Sequence, residues 1–223
     1  MDNAVALVQA YLRVNGYFTV VEYPVLEVGR RGAYRTATDV DVLAVRFPGA
    51  GMLVPTPGRK GYGDEEHSIV DPVLGVPAEQ PDMLVGEVKE GRAELNAAAT
   101  DPAVLRTVLV RFGCCPREDA PALVARLLQD GSAPLPDGHR LRLIAFGSIV
   151  DSPDGSRGNS RYARIALGHV MEFLQAYLRD HWEVLRHADS KDPAFGFLVT
   201  LEKALRARAR VEGDTPTARA AVQ

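Results

Sequence analysis

The sequence predicts an α/β protein with a mixed central sheet flanked by helices. Three observations predict it. Four segments rich in β-branched and aromatic residues (17–28, 38–47, 83–89 and 140–147) read as strands. Helical apolar spacing marks segments before, between and after them. The order is helix, three strands, helices, strand, helices, which fits a layered α/β sandwich.

The first helix is expected over 3–15. Val5, Val8 and Leu12 recur at helical spacing, Asp2 or Asn3 can cap the start, and Gly16 follows the end. Pro24 marks the first strand as an edge or a bulge. Arg30, Arg31 and Arg35 crowd the turn that follows, which holds no acid. From Pro48 to Pro81 the chain is rich in Gly and Pro and too long for a simple turn, so it reads as an insertion or a functional flap. Within it, Gly58-Arg59-Lys60-Gly61 is basic but lacks the Gly-Lys-Ser/Thr ending of a nucleotide-binding loop.

Asp101-Pro102 starts a helix with a cap and a proline at the first position, and Leu105, Val108, Leu109 and Phe112 form its apolar stripe. A short helix is expected at Ala120–Gln129. One long helix is expected from Arg161 to Arg186, with Ile165, Val170, Phe173, Tyr177 and Trp182 inward and apolar enough to support a homodimer. Another covers Pro193–Arg210. The chain thus reads as one domain over 1–210, with 211–223 as a loose tail.

Composition narrows the function classes. The 223 residues carry 26 basic and 29 acidic side chains, a net charge of −3, which excludes a strongly basic nucleic-acid coat but not a basic groove around an acidic site. No apolar run approaches the ~18–20 residues of a membrane span. The opening Met-Asp-Asn-Ala-Val lacks the basic-then-apolar layout of a signal peptide. Both predict a cytoplasmic protein with no membrane partner. Cys114 and Cys115 are too few for a disulfide framework or a zinc site.

The chemistry concentrates in two strands. Aspartate is depleted in strand interiors, yet the second strand holds Asp39 and Asp41, which period-two alternation puts on one face. In the third strand Glu87 and Lys89 share a face. If these strands are neighbours, three carboxylates and a lysine converge, and such a cluster is costly without a cation. A hard divalent metal satisfies carboxylate oxygens, and lysine adds a compact positive charge that can hold or help deprotonate a water. The opposing possibility is an exposed edge with solvated charges.

Asp41 on one strand followed by Glu87-Val88-Lys89 on the next resembles the PD-(D/E)XK nuclease superfamily, and Thr38-Asp39-Val40-Asp41-Val42-Leu43 is similar to the second strand of its restriction-endonuclease-like members. The resemblance covers a core of about 3–147, with the C-terminal helices of 148–210 outside it. It implies a restriction-endonuclease-like fold and a nuclease that hydrolyses phosphodiesters, DNA in preference to RNA, with Mg2+ or Mn2+. Asp41 and Glu87 would bind the metal, the Val88 carbonyl would complete its shell, Asp39 would support it or hold a second ion, and Lys89 would orient the attacking water. Many members carry a glutamate in the first helix. Here the position falls to Gln9, which can orient a ligand or simply pack, but cannot donate negative charge. Phosphate contacts are expected from Arg30, Arg31, Arg35, Arg59, Lys60 and Arg92. The literal Pro81-Asp82 is a decoy, because Asp82 lies ~16 Å along an extended strand from Glu87 and points the other way. The rival expectation is a catalytically silent nucleic-acid-binding or assembly module on the same fold. A third reading is a hydrolase of small phosphoesters.

Overall fold

The computed structural model describes residues 2–28, 32–51, 70–150, 161–187 and 190–213, with side chains through 208. Helix α1 (Asn3–Val14) is capped by Asp2, whose carboxylate accepts from the Ala4 amide at 2.7 Å. It ends at Gly16, whose φ of +86° and 2.5 Å Cβ approach to the Gly51 amide admit no side chain. Strands β1 (Phe18–Val28) and β2 (Tyr34–Arg46) pair antiparallel, and β2 pairs antiparallel with β3 (Asp82–Arg92).

Helices α2 (Pro102–Arg111) and α3 (Ala120–Asp130) then cross over to β4 (Ser132–Pro134) and β5 (Arg140–Ile149), and β5 lies parallel to β3. The chain continues through β6 (Ala163–Ala166), α4 (Leu167–Asp180), α5 (Trp182–Leu185) and α6 (Pro193–Gly213). The sheet has six strands in the order β1-β2-β3-β5-β4, with β6 also on β5. β4 takes the first residues of β5 and β6 takes Ile144–Gly147, so the two share one edge. The sheet is mixed and flanked by helices, as the element pattern predicts.

Strand alternation sorts the core into two layers. Val42, Ala44, Leu84, Ile144 and Phe146 face α1 and the C-terminal helices. Leu43, Val85, Leu141 and Leu143 face α2 and α3, whose Leu105, Val108, Leu109 and Leu127 are almost fully covered. Cys114 and Cys115 are buried free thiols in this second layer.

Two expectations change. The helix read over 161–186 is a strand followed by two helices, because Ala163–Ala166 pairs with β5 and His181 ends α4. The buried stripe of α4 is Val170, Leu174 and Leu178, displaced from the expected Phe173 and Tyr177. The C-terminal elements are also part of the main core: Ile165, Leu174, Leu178, Trp182 and Leu198 pack in one cluster with Val8 and Phe146. Residues 52–69, which hold the Gly-Pro segment, lie outside the described residues apart from its ends, where Pro72–Leu74 forms one 3-10 turn. Among the described residues no helix is long and apolar enough to cross a membrane.

Candidate active site

The β2–β3 ladder runs from Arg46↔Asp82 to Val42↔Gly86, and its last partners stand immediately before Asp41 and Glu87. Beyond that pair the Asp41 carboxylate takes the place of a strand. Its Oδ2 accepts from the Val88 backbone amide at 2.8 Å. Glu87 is 5% exposed, and its Oε1 accepts from Asn96 Nδ2 at 2.5 Å. Asn96 is itself fixed, since its Oδ1 accepts from the Ala99 amide and its carbonyl from the Thr100 hydroxyl. Lys89 is half-buried two residues along the same strand.

Electrostatics tie these groups together. Burial pushes the Glu87 carboxyl up to about 7, the nearby Asp41 charge adds to the rise, and Lys89 and the Asn96 bond oppose it. Asp41 is also raised, first by burial and then by Asp2 and Glu22, with the Val88 amide and Lys89 opposing. A carboxyl that titrates near neutral pH can exchange a proton there, or give it up to a cation.

The site sits where β1 and β2 turn over. Val21 and Val42 pack in the α1 layer, whereas Tyr23 and Val40 pack in the α2–α3 layer, although each pair is two residues apart. The reversal falls on Glu22 and Asp41, which the hairpin register sets opposite each other between Val21↔Val42 and Tyr23↔Val40. Glu22 has a φ of +50°, a left-handed conformation costing about 1–2 kcal/mol for a residue with a side chain. Its Oε1 accepts from the Asp2 amide at 2.9 Å, which brings the start of α1 to the acids.

The reversal breaks the alternation that put Asp39 on the same face as Asp41. Asp39 is exposed, opposite Pro24, while Asp41 turns inward to Val88. Gln9 is buried and donates to the Thr19 hydroxyl at 3.3 Å; the acid at this end of α1 whose charge raises the Asp41 carboxyl is the cap, Asp2. Arg35 is held by Glu27 across the hairpin at 2.5 Å. Arg92 is exposed at the end of β3. Arg30, Arg31, Arg59 and Lys60 lie outside the described residues.

Asp82, whose spacing sets it apart from Glu87, is tied up in a separate buried cluster. It is fully buried and binds Arg142 at 2.8 Å, Arg140 at 3.0 Å and the Tyr17 hydroxyl at 2.5 Å.

Three residues at this site escape a reading of strand spacing: Asp2, Glu22 and Asn96. Glu22 has a usable signal, since pairing the first two strands as a hairpin sets it against Asp41. Asn96 stands in an aperiodic loop and has none.

The donor set suits one hard cation. Burial raises both carboxyls and the Asp41 charge adds to the rise at Glu87, a cost that a positive ion beside them would relieve. Among the described residues, however, no three His, Cys, Asp or Glu side chains are grouped so as to hold a metal by themselves, so backbone oxygen or water would have to complete the shell.

In comparisons with known proteins, the chain matches no family model, no curated protein and no solved structure.

Proposed function

We propose that the chain is a divalent-metal-dependent nuclease with a restriction-endonuclease-like core, acting in the cytoplasm on nucleic acid, DNA in preference to RNA. The observation that carries this reading is the Asp41–Val88 hydrogen bond, which holds one acid against the strand that bears Glu87 and Lys89. An exposed edge with solvated charges would not bury Glu87 to 5% or raise its carboxyl to about 7.

Asp41, Glu87 and the Val88 carbonyl would hold Mg2+ or Mn2+, which supplies Lewis-acid polarisation of a phosphate oxygen. The chain's own groups do the rest. The Val88 amide fixes the Asp41 rotamer through Oδ2. Asn96 holds Oε1 of Glu87 and so orients its second oxygen. The Lys89 ammonium orients a water and stabilises negative charge that develops as the phosphodiester is attacked.

The test is metal-dependent cleavage of a labelled duplex and a single strand by wild type, Asp41→Ala, Glu87→Ala and Lys89→Ala, each checked for folding. Cleavage by wild type alone is expected. Equal cleavage by all four removes the proposal. The second reading, a silent nucleic-acid-binding module, draws on the lack of a three-ligand side-chain group among the described residues. It requires salt-dependent binding with no hydrolysis at any metal concentration.

A further inference from the structure

A groove of about 530 Å³ lies on the solvent side of α2, closed by the start of α3. Ala103, Thr107 and Val110 form its floor, and Arg106, Arg111 and Arg117 stand around it. Helix geometry explains the arrangement. Five residues at about 100° each place Arg106 and Arg111 about 140° apart, at the two edges of an exposed strip whose middle is the small floor. Arg117 reaches the groove from the segment before α3.

These arginines differ from several others among the described residues. Arg35, Arg126, Arg140, Arg142, Arg179 and Arg206 each have a carboxylate within 4.0 Å. Among the described residues, Arg106, Arg111 and Arg117 have none. The inner nitrogen of Arg106 donates to the Pro102 carbonyl at 3.2 Å, which anchors the guanidinium against its own helix. Three cations therefore share one concave surface on a protein whose net charge is −3. Like charges gathered with no carboxylate within 4.0 Å favour an anion that can meet several at once.

We infer that this groove binds the phosphodiester backbone of a nucleic acid, as a sequence-independent track leading away from the acid site. The groove lies on the same side of the sheet as Glu87, whose neighbour Val85 packs in the α2–α3 layer. The loop carrying Asn96 to Glu87 runs directly into the Asp101 cap of α2. The inference takes its ligand class from the nuclease reading, but it does not require that the acid site turn over.

The test measures binding of a fluorescent mixed-sequence duplex across a salt series in chelator, so that no cleavage occurs. Arg106→Ala/Arg111→Ala/Arg117→Ala is compared with Arg126→Ala/Arg179→Ala/Arg186→Ala, which removes the same charge elsewhere; both are checked by thermal melting. Loss of three phosphate contacts should lower the slope of log K against log salt by about 2.7 and weaken binding ~10-fold or more, while the control keeps most of the slope. Equal loss in both variants, no loss in the first, or no duplex binding by wild type overturns the inference. So does an acidic peptide that displaces the duplex from the groove at lower concentration than unlabelled duplex does. Cleavage is scored separately with metal. Groove-dependent binding without cleavage defeats the nuclease reading alone, and cleavage with a groove-independent slope defeats the groove alone.

Discussion

Asp41 occupies the gap where β2 and β3 part, with its Oδ2 2.8 Å from the backbone amide of Val88. The bond satisfies a strand amide beyond the last ladder pair, Val42↔Gly86, and holds a carboxylate beside Glu87. It therefore has a structural part and a chemical part, which substitutions can separate.

Asp41→Asn keeps an acceptor for the Val88 amide and removes the charge. Its stability should stay within ~1 kcal/mol of wild type, because the hydrogen bond survives. Asp41→Ala leaves the amide unpaired and should cost about 1–3 kcal/mol. If the proposed nuclease reading holds, both variants lose that activity by at least ~100-fold, since neither carries the charge the chemistry needs. Urea unfolding alongside a cleavage assay separates the two effects.

The raised Glu87 carboxyl makes stability depend on pH. Its folded value, about 7, lies above the ordinary 4.5, so the folded state favours the protonated acid. That contribution is complete below about 4.5 and is lost as pH rises through about 7. Without metal, wild type should lose up to about 3 kcal/mol from this group between pH 4.5 and 8.5. Glu87→Gln, which still offers Asn96 an acceptor, should lack that part of the slope. Urea midpoints at both pH values check the prediction.

Lys89 pulls the Glu87 titration downward. Lys89→Met should therefore move the Glu87 midpoint above 7, read by NMR of the side-chain carboxyl. A midpoint that stays in place would mean that the ammonium does not act on this acid.

Asp82 carries load of another kind. It neutralises the buried Arg142 and also binds Arg140 and Tyr17. Asp82→Ala strands a guanidinium in the core and should cost about 3–5 kcal/mol in unfolding free energy. The proposed nuclease activity per folded molecule should change little, because Asp82 is spaced away from Glu87.

The sequence made four of the six strands and the positions of Asp41, Glu87 and Lys89 on them legible, because these follow local periodicity, whereas the short β4 and β6 carry too few residues to show any period. Glu87 and Lys89 share a strand face, and aspartates inside a strand are conspicuous. Asp39 misleads because alternation holds only while the backbone stays regular, and Glu22 at φ +50° marks the place where β1 and β2 turn over. Asn96 and Asp2 reach the acids through a loop and a helix start, positions with no period. The 161–186 segment shows the same limit. Ala163–Ala166 is a strand because β5 offers it an edge, and that pairing is invisible to helical spacing.

A crystal soaked in Mn2+ and measured at the manganese edge tests the central claim most directly. The account predicts one strong anomalous peak within coordination distance of both Asp41 and Glu87, with the Lys89 ammonium facing the same point. A peak elsewhere, or no peak in a protein whose Asp41 and Glu87 carboxylates turn apart, would contradict it.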